Sequence, residues 1–148
     1  MLKILRKRLN HNVVCDLLRT LDPSFAERLE ETVNIDDYSR KLSDNAYFEV
    51  AENNSNIDGI IAFYENKSEI YIPYVCVSVF KRRMGIADAL LDSVCNYASL
   101  VCKPISLEVR VSNIRAIRLY EKFGFKIMNE KESKFYMKRH YCPVKVDK

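Results

Sequence analysis

Residues 75–125 read VCVSVFKRRMGIADALLDSVCNYASLVCKPISLEVRVSNIRAIRLYEKFGF and carry the clearest structural signals of the chain. They begin with a run in which valines alternate with Cys76 and Ser78, and the basic turn KRRMGIA at 81–87 follows at once. From Ala87 onward, apolar residues recur at the spacing of one buried helical face. The pattern predicts a strand, a tight turn and a helix in immediate succession.

The turn combines three features that attract an anion. The first turn of a helix carries unpaired backbone N–H groups and the positive end of the helix dipole. Gly85 lets a phosphate approach the backbone closely, while Lys81, Arg82 and Arg83 add positive charge. The turn matches neither a P-loop nor a G-x-G-x-x-G dinucleotide motif. From these residues alone, a basic turn that merely starts a core helix is an equally good interpretation.

A second strand and helix follow the first pair. Residues 105–111 alternate between apolar and polar side chains, which predicts a half-buried strand. Ser112 or Asn113 is suited to cap the next helix, and Gly124 is suited to end it. Asn113 and Tyr120 are seven residues apart, so we expect them to share one face of this helix.

Together the two halves resemble the signatures of the GNAT N-acetyltransferase superfamily. Arg82-x-x-Gly85-x-Ala87 after a valine-rich strand is similar to its acyl-CoA pyrophosphate motif, and residues 107–125 are similar to its second signature. The resemblance is specific over residues 75–125, about a third of the chain. It implies an α/β (α+β) fold in which residues 1–148 form a single domain. We expect a mixed, largely antiparallel sheet of six or seven strands with helices on both faces.

The resemblance implies acetyl-CoA as co-substrate and an amine as acceptor. In the superfamily, the strands that precede the two signatures splay apart and the cofactor enters the gap. The turn would bind the pyrophosphate, the backbone N–H of Val77 the thioester carbonyl, and Asn113 the pantetheine arm. The residues expected at the cofactor are therefore Val75, Val77, Arg82, Arg83, Gly85, Ile86, Ala87 and Asn113.

Glu108 and Tyr120 are the expected catalytic residues. Their spacing with Asn113 is similar to that of bacterial ribosomal-protein alanine N-acetyltransferases, which implies Glu108 as general base and Tyr120 as acid toward the leaving thiolate. Glu108 is alternatively a solvated partner of Arg110, with a base such as Glu49 acting through water. Tyr120 is alternatively a packing aromatic.

The acceptor is left open by the sequence. An amino sugar or nucleotide-sugar amine, a small-molecule amine and a protein N-terminus are all compatible with it. Tyr38, Tyr71 and Tyr74 are candidates to line its pocket, although tyrosines also serve in ordinary packing. A non-catalytic module that binds and senses acyl-CoA is the alternative function, and family analogy suggests a homodimer.

The remaining chain predicts further elements in the order expected of this fold. Helices are expected after Asn10, after the Asp22-Pro23 pair as N-cap and first helical residue, and after Asp36 as a cap. The second of these helices, from Ser24 to about residue 32, is expected to bury Phe25 and Leu29. Strands are expected at residues 2–8, 47–51, 57–64, 69–79, 126–130 and 134–140. Pro73 predicts a bulge or break in its strand, because proline cannot donate a ladder hydrogen bond.

Composition limits the other function classes. The net charge of +4 is spread among acids after the first ten residues, so neither nucleic-acid nor membrane binding is expected, and residues 3–8 are better explained as a charged edge strand. Without a signal-like or membrane-spanning run, a cytoplasmic location is expected. His11 and His140 lie in no ligand-like cluster, so no metal is expected. The cysteines are Cys15, Cys76, Cys95, Cys102 and Cys142, of which the first four are expected to be buried free thiols.

Overall fold

Seven strands form one mixed sheet in the computed structural model, which describes residues 1–141. The strands are β1 (Leu2–Lys7), β2 (Tyr47–Asn53), β3 (Asn56–Glu65), β4 (Ile70–Val77), β5 (Ile105–Arg110), β6 (Lys126–Lys131) and β7 (Lys134–Arg139). Their order across the sheet is β1-β2-β3-β4-β5-β7-β6. The β4–β5 pair is parallel and the other neighbouring pairs are antiparallel, which confirms the predicted fold class.

Helices cover both faces of this sheet. They are α1 (His11–Thr20), α2 (Pro23–Glu30), α3 (Ile35–Asn45), α4 (Ile86–Leu100) and α5 (Ile114–Lys122). On one face, α1, α2 and α3 pack on a core that includes Leu18 and Phe48. On the other face, α4 and α5 pack on a core that includes Phe63 and Leu90. The apolar periodicity of α4 is confirmed, since Leu90, Leu91, Val94, Cys95 and Ala98 are all buried.

Side-chain caps begin four of these helices. Asn10, Asp22 and Asn113 accept backbone N–H groups as the sequence predicts, at 3.0, 3.2 and 3.2 Å. The predicted cap of α3 is wrong, because Asn34 accepts from the N–H of Asp37 at 3.0 Å. Asp36 instead lies in the first turn, where its charge still favours the helix dipole.

Strand β4 has a bulge at Pro73 in its pairing with β3, and its pairing with β5 on the other side ends at Ile72. The pairing of β3 with β4 shifts there, so that Ile72 and Pro73 together lie opposite Phe63. Parallel pairing between β4 and β5 is confined to Ile70–Ile72 opposite 105–107. Beyond that point the two strands diverge, which is the gap that the resemblance implies. The predicted bulge is confirmed.

A close approach brings the start of α4 against β3. A Cβ atom at Gly59 would lie 3.1 Å from Cγ2 of Ile86 and 3.2 Å from the carbonyl oxygen of Cys76. Both distances are tighter than most Cβ contacts, so a side chain at position 59 would require its neighbours to shift by a few tenths of an ångström. The beginning of α4 is therefore fixed relative to the diverging end of β4.

The basic N-terminal residues form an edge strand and its end, and three of their four cations have partners inside the protein. Arg6 binds Glu49, Lys7 Nζ lies 2.6 Å from Glu52, and Arg8 donates to the carbonyl oxygen of Asp44 at 2.7 Å. Contacts inside the protein thus account for Arg6, Lys7 and Arg8, whereas Lys3 forms no ion pair within residues 1–141. Across residues 1–141, no helix has the length and apolar character needed to cross a bilayer.

The cysteines are only partly as predicted. Cys76 and Cys95 are buried, Cys15 is half-buried, and Cys102 is exposed because it lies in the turn after α4. Cys142 lies outside the described residues. Over the described range, no three His, Cys, Asp or Glu side chains are placed to hold a metal ion.

Candidate functional site

The N-terminus of α4 lacks the side-chain cap that the other four α-helices of residues 1–141 possess. Gly85 occupies the cap position with φ +78° and ψ 11°, and no side chain bonds the first turn. The first intrahelical bond runs from the N–H of Ala89 to the carbonyl oxygen of Gly85. The N–H groups of residues 86–88 are thus available to an anion at the positive end of a 15-residue helix.

A cavity of about 900 Å³, here called the turn cavity, opens at this helix start. Eight Lys or Arg side chains and two Asp side chains line it, so its charge suits a polyanion. The eight residues predicted at the cofactor all line this cavity: Val75, Val77, Arg82, Arg83, Gly85, Ile86, Ala87 and Asn113. The structure therefore brings together the residues of both sequence motifs.

Arg82 is held by a carboxylate that the sequence analysis treated only as a helix cap. Its guanidinium forms an ion pair with Asp22, and the N–H of Val79 donates to the carbonyl oxygen of Leu21 at 3.0 Å. Burial would raise the pKa of Asp22, but hydrogen bonds from Arg82 and from the N–H of Phe25 outweigh it and lower the pKa. The basic turn is thereby fastened to the start of α2.

A second cavity of about 280 Å³, the strand cavity, lies where β4 and β5 diverge. Both predicted catalytic residues, Glu108 and Tyr120, line it. Tyr120 is 8% exposed, and burial raises its pKa to about 12, so its phenol stays protonated near neutral pH. Glu108 is exposed on the polar face of β5.

The two cavities adjoin each other. They share five lining residues, namely Phe25, Arg28, Val75, Arg110 and Asn113. Asn113 uses its side-chain oxygen to cap α5 by accepting from the N–H of Ala116, so its amide NH₂ is left to donate. A molecule bound along the turn cavity can therefore reach Tyr120 and Glu108.

Residues of α2 line the strand cavity where the sequence predicted burial. Phe25 and Leu29 are half-buried because they face this cavity, whereas Ala26 is the buried residue of α2. Of the three candidate tyrosines, Tyr71 and Tyr74 line the strand cavity. Tyr38 does not line it.

Tyr38 instead has a packing role. It packs edge-on against Tyr74 and donates to the carbonyl oxygen of Pro73 at 3.3 Å. Its hydroxyl thus supports the bulge in β4 from the side of α3.

Glu49, the alternative base, lies away from both cavities. It is 1% exposed on β2, where it pairs with Arg6 and accepts from the hydroxyl of Ser93 at 2.5 Å. Neither the turn cavity nor the strand cavity includes it among its lining residues. Its carboxylate is thus committed to joining β1, β2 and α4.

Sequence comparisons find relatives of this chain. The family model described as Acetyltransferase (GNAT) family matches residues 13–125. A protein of Drosophila melanogaster named Probable N-acetyltransferase san is 37% identical over 78 residues, covering 51% of this chain and 41% of that protein. Histone acetyltransferase MCC1 of Arabidopsis thaliana is 34% identical over 113 residues, covering 72% of this chain and 45% of that protein. The chain thus spans less than half the length of these curated relatives.

Solved structures share the fold. The PaiA N-acetyltransferase of Thermoplasma acidophilum, solved with coenzyme A, superposes with a TM-score of 0.74 at 17% identity over 94% of this chain and 99% of that one. Naa50 of Arabidopsis thaliana, solved with the bisubstrate analogue CoA-Ac-MVNAL, superposes with a TM-score of 0.58 at 26% identity. That match covers 64% of this chain and 72% of that one.

Proposed function

Because the chain belongs to the acetyltransferase (GNAT) family, we propose that it transfers the acetyl group of acetyl-CoA to a primary amine by direct attack in a ternary complex. The observation that carries the proposal is the junction of the two cavities. An uncapped helix start suited to phosphates opens into a gap lined by a buried tyrosine and an exposed carboxylate. The coenzyme A bound by the PaiA structure supports acetyl-CoA as the donor.

The turn cavity would hold the cofactor. The N–H groups at the start of α4 and the exposed side chain of Arg83 would bind the pyrophosphate. Arg82 would do so only with the donors that Asp22 leaves free. The amide NH₂ of Asn113 would donate to a carbonyl of the pantetheine arm, while Val75 and Val77 would border the thioester.

Two proton movements accompany the transfer. An ammonium of pKa about 10 must lose a proton to become a nucleophilic amine, and the carboxylate of Glu108 would accept that proton, directly or through water. The amine nitrogen then bonds to the thioester carbon and the carbon–sulfur bond breaks. The nitrogen gives up its second proton as the amide forms, and the departing sulfur takes up one proton, so that coenzyme A leaves as the thiol. The phenol of Tyr120 would donate a hydrogen bond to that sulfur as charge develops on it, and its raised pKa favours such donation over complete ionisation. The products are the acetylated amine and coenzyme A.

The test combines cofactor binding with turnover. Acetyl-CoA is titrated calorimetrically, and release of free thiol is followed against a panel of amines, for wild type and Tyr120→Phe. We expect Tyr120→Phe to bind acetyl-CoA like wild type but to turn over about 100-fold more slowly, the usual contribution of a positioned acid. Tyr47→Phe is the matched control, since Tyr47 is an exposed tyrosine that lines neither cavity.

The outcomes separate the proposal from its alternative. Thiol release that depends on the amine and falls in Tyr120→Phe supports an acetyltransferase. Acetyl-CoA binding without thiol release for any amine would identify a module that senses acyl-CoA. A cytoplasmic location and a homodimer stay predictions.

A further inference from the structure

The charges that line the strand cavity are unbalanced. Arg28 from α2, Arg110 from β5 and Lys134 from β7 contribute three cations, and Glu108 is the single acid. Within the described chain, none of the three cations has a carboxylate within 4.0 Å of its side-chain nitrogens. By contrast, Arg6 and Lys7 of β1 are paired with Glu49 and Glu52. The cavity therefore offers positive charge that the protein itself leaves uncompensated.

The register of β5 and β7 places two of these cations side by side. Arg110 and Lys134 are direct cross-strand partners in this antiparallel pair. Like charges in that position repel and destabilise the sheet, by an amount that an anion between them would remove. Glu108 lies two residues away on the same face of β5, yet it forms an ion pair with neither. The arrangement thus favours a bound group with negative charge.

The phosphates of the cofactor do not account for all of this charge. Arg28 and Arg110 line both cavities, so either could serve the cofactor. Lys134 lines the strand cavity and not the turn cavity. It also lines a third cavity of about 410 Å³ on the hairpin of β6 and β7, together with Glu108, Lys131 and Glu132. Lys134 and Glu108 therefore lie together on the side of the gap that the turn cavity does not reach.

The other lining residues agree with a small acceptor. Phe25, Leu29, Tyr71 and Pro73 surround the cavity with apolar or aromatic surface. Arg28 lies over the ring of Phe25 with its guanidinium carbon 5.8 Å from the ring centroid, which orients its charge next to the cavity. An acceptor with several positive charges, such as a polyamine, would be repelled by this lining.

We propose that the acceptor is a small amine that also carries a carboxylate or phosphate group. Glu108 receives the amine, while Lys134, with Arg110 and Arg28, binds the acidic group. This inference rests on the proposed function, because it assigns the acceptor of that same site. The reaction is the transfer described above, with the acidic group unchanged in the acetylated product.

Matched pairs of amines test the proposal. Phosphoethanolamine is compared with ethanolamine, and β-alanine with propylamine, so that the acidic group is the main difference within each pair. Thiol release from acetyl-CoA gives kcat/KM, and calorimetry with the protein saturated by coenzyme A gives the affinity for each amine. We expect the acidic member of at least one pair to be favoured by about 10- to 100-fold in both measurements, as a charge-assisted hydrogen bond would give. The pair that shows the preference distinguishes phosphate from carboxylate.

Lys134→Gln and its control locate the effect. The variant should lower the affinity for the acidic amine about 10-fold, should leave that for its neutral partner unchanged, and should bind coenzyme A like wild type. Lys138→Gln is the matched control, because Lys138 lies on the same strand and face, four residues further on, and lines none of the three cavities. The control should keep the preference for the acidic amine.

The two proposals fail in different ways. If acidic amines bind but no thiol is released, the acceptor site stands and acetyl transfer is overturned. If neutral amines are acetylated as well as acidic ones, transfer stands and this inference is overturned. It is equally overturned if neither acidic amine binds, or if Lys138→Gln removes the preference as effectively as Lys134→Gln.

Discussion

Substitutions at Gly85 separate backbone strain from electrostatic repulsion at the start of α4. Gly85 has φ +78°, and a Cβ atom there would meet nothing within 4 Å. A Cβ atom at this position therefore costs only the left-handed backbone conformation, about 1–2 kcal/mol. In a protein of this size each kcal/mol lowers Tm by about 2–4 °C. Gly85→Ala and Gly85→Glu should thus lose similar stability, about 2–8 °C in Tm.

The two variants should differ in cofactor binding. Glutamate at position 85 places a carboxylate next to the N–H groups of residues 86–88, where the phosphates are proposed to bind. Two unit charges about 5 Å apart at an effective dielectric constant of ~20 repel by about 3 kcal/mol. Since 1.4 kcal/mol corresponds to a factor of ten, Gly85→Glu should bind acetyl-CoA about 100-fold more weakly than Gly85→Ala.

Calorimetric titration of both variants with acetyl-CoA, with Tm measured by circular dichroism, checks this reasoning. Gly85→Ala is the matched control, because it carries the same backbone strain without the charge. If the variants bind acetyl-CoA within about threefold of each other while both stay folded, the phosphates do not lie at the α4 terminus. The turn would then be a basic surface loop, and the proposed cofactor site would be refuted.

Three further predictions follow from the contacts around the site. The pKa of Asp22 is lowered in the folded protein, so its charge stabilises the fold above the unfolded pKa of about 4, and this stabilisation is lost as pH falls through the folded pKa. Asp22→Asn, which keeps the cap, should therefore lower the free energy of unfolding in urea by up to about 1 kcal/mol at pH 7 and by progressively less below pH 4. Glu49→Gln should lower stability by about 1–3 kcal/mol yet leave the thiol-release rate per folded molecule unchanged, and a loss of rate would restore Glu49 as a candidate base. Asn113→Ala should lower the free energy of unfolding in urea by about 1 kcal/mol and weaken acetyl-CoA binding. Asn113→Asp should recover the stability but not the binding, because aspartate caps a helix but has no NH₂ donor. If Asn113→Asp recovered both the stability and the acetyl-CoA affinity, the pantetheine contact would be contradicted.

The turn cavity was predictable because its residues belong to two local motifs. In each motif a strand leads into a helix through a short connection, residues 78–85 in the first and 111–113 in the second, so sequence spacing limits which backbone and side-chain groups lie at the helix start. The predicted positions from Val75 to Ala87 and Asn113 consequently meet at one cavity. The partner of Arg82 was missed because Asp22 lies 60 residues earlier and was already explained as a cap. A buried carboxylate at a cap position gives no signal in the sequence about which cation it binds.

The cap of α3 shows a different limit of sequence reasoning. Asn34 and Asp36 are both good N-cap residues, and they are separated by Ile35. The helix begins at Ile35 because that side chain is buried at 3% exposure in the core beneath α1 and α3. Local propensity favours both caps, so tertiary packing determines which of them begins the helix. The charged lining of the strand cavity could not be predicted from the sequence either, because Arg28 and Lys134 lie on α2 and β7, which are distant in the chain and meet only in the folded protein.

The bulge at Pro73 determines which side chains of β4 face each side of the sheet near the site. Without a bulge, side chains of β4 would alternate strictly, and Tyr74 would lie on the same face as Ile72. With the bulge, Ile72 and Val75 pack toward α4 and α5, while Tyr74 packs toward α2 and α3. Because proline also has no N–H to donate, pairing with β5 ends at Ile72, and the gap that holds Tyr120 opens immediately beyond it. The residue that interrupts the sheet is therefore the one that both opens the strand cavity and decides which side chains line it.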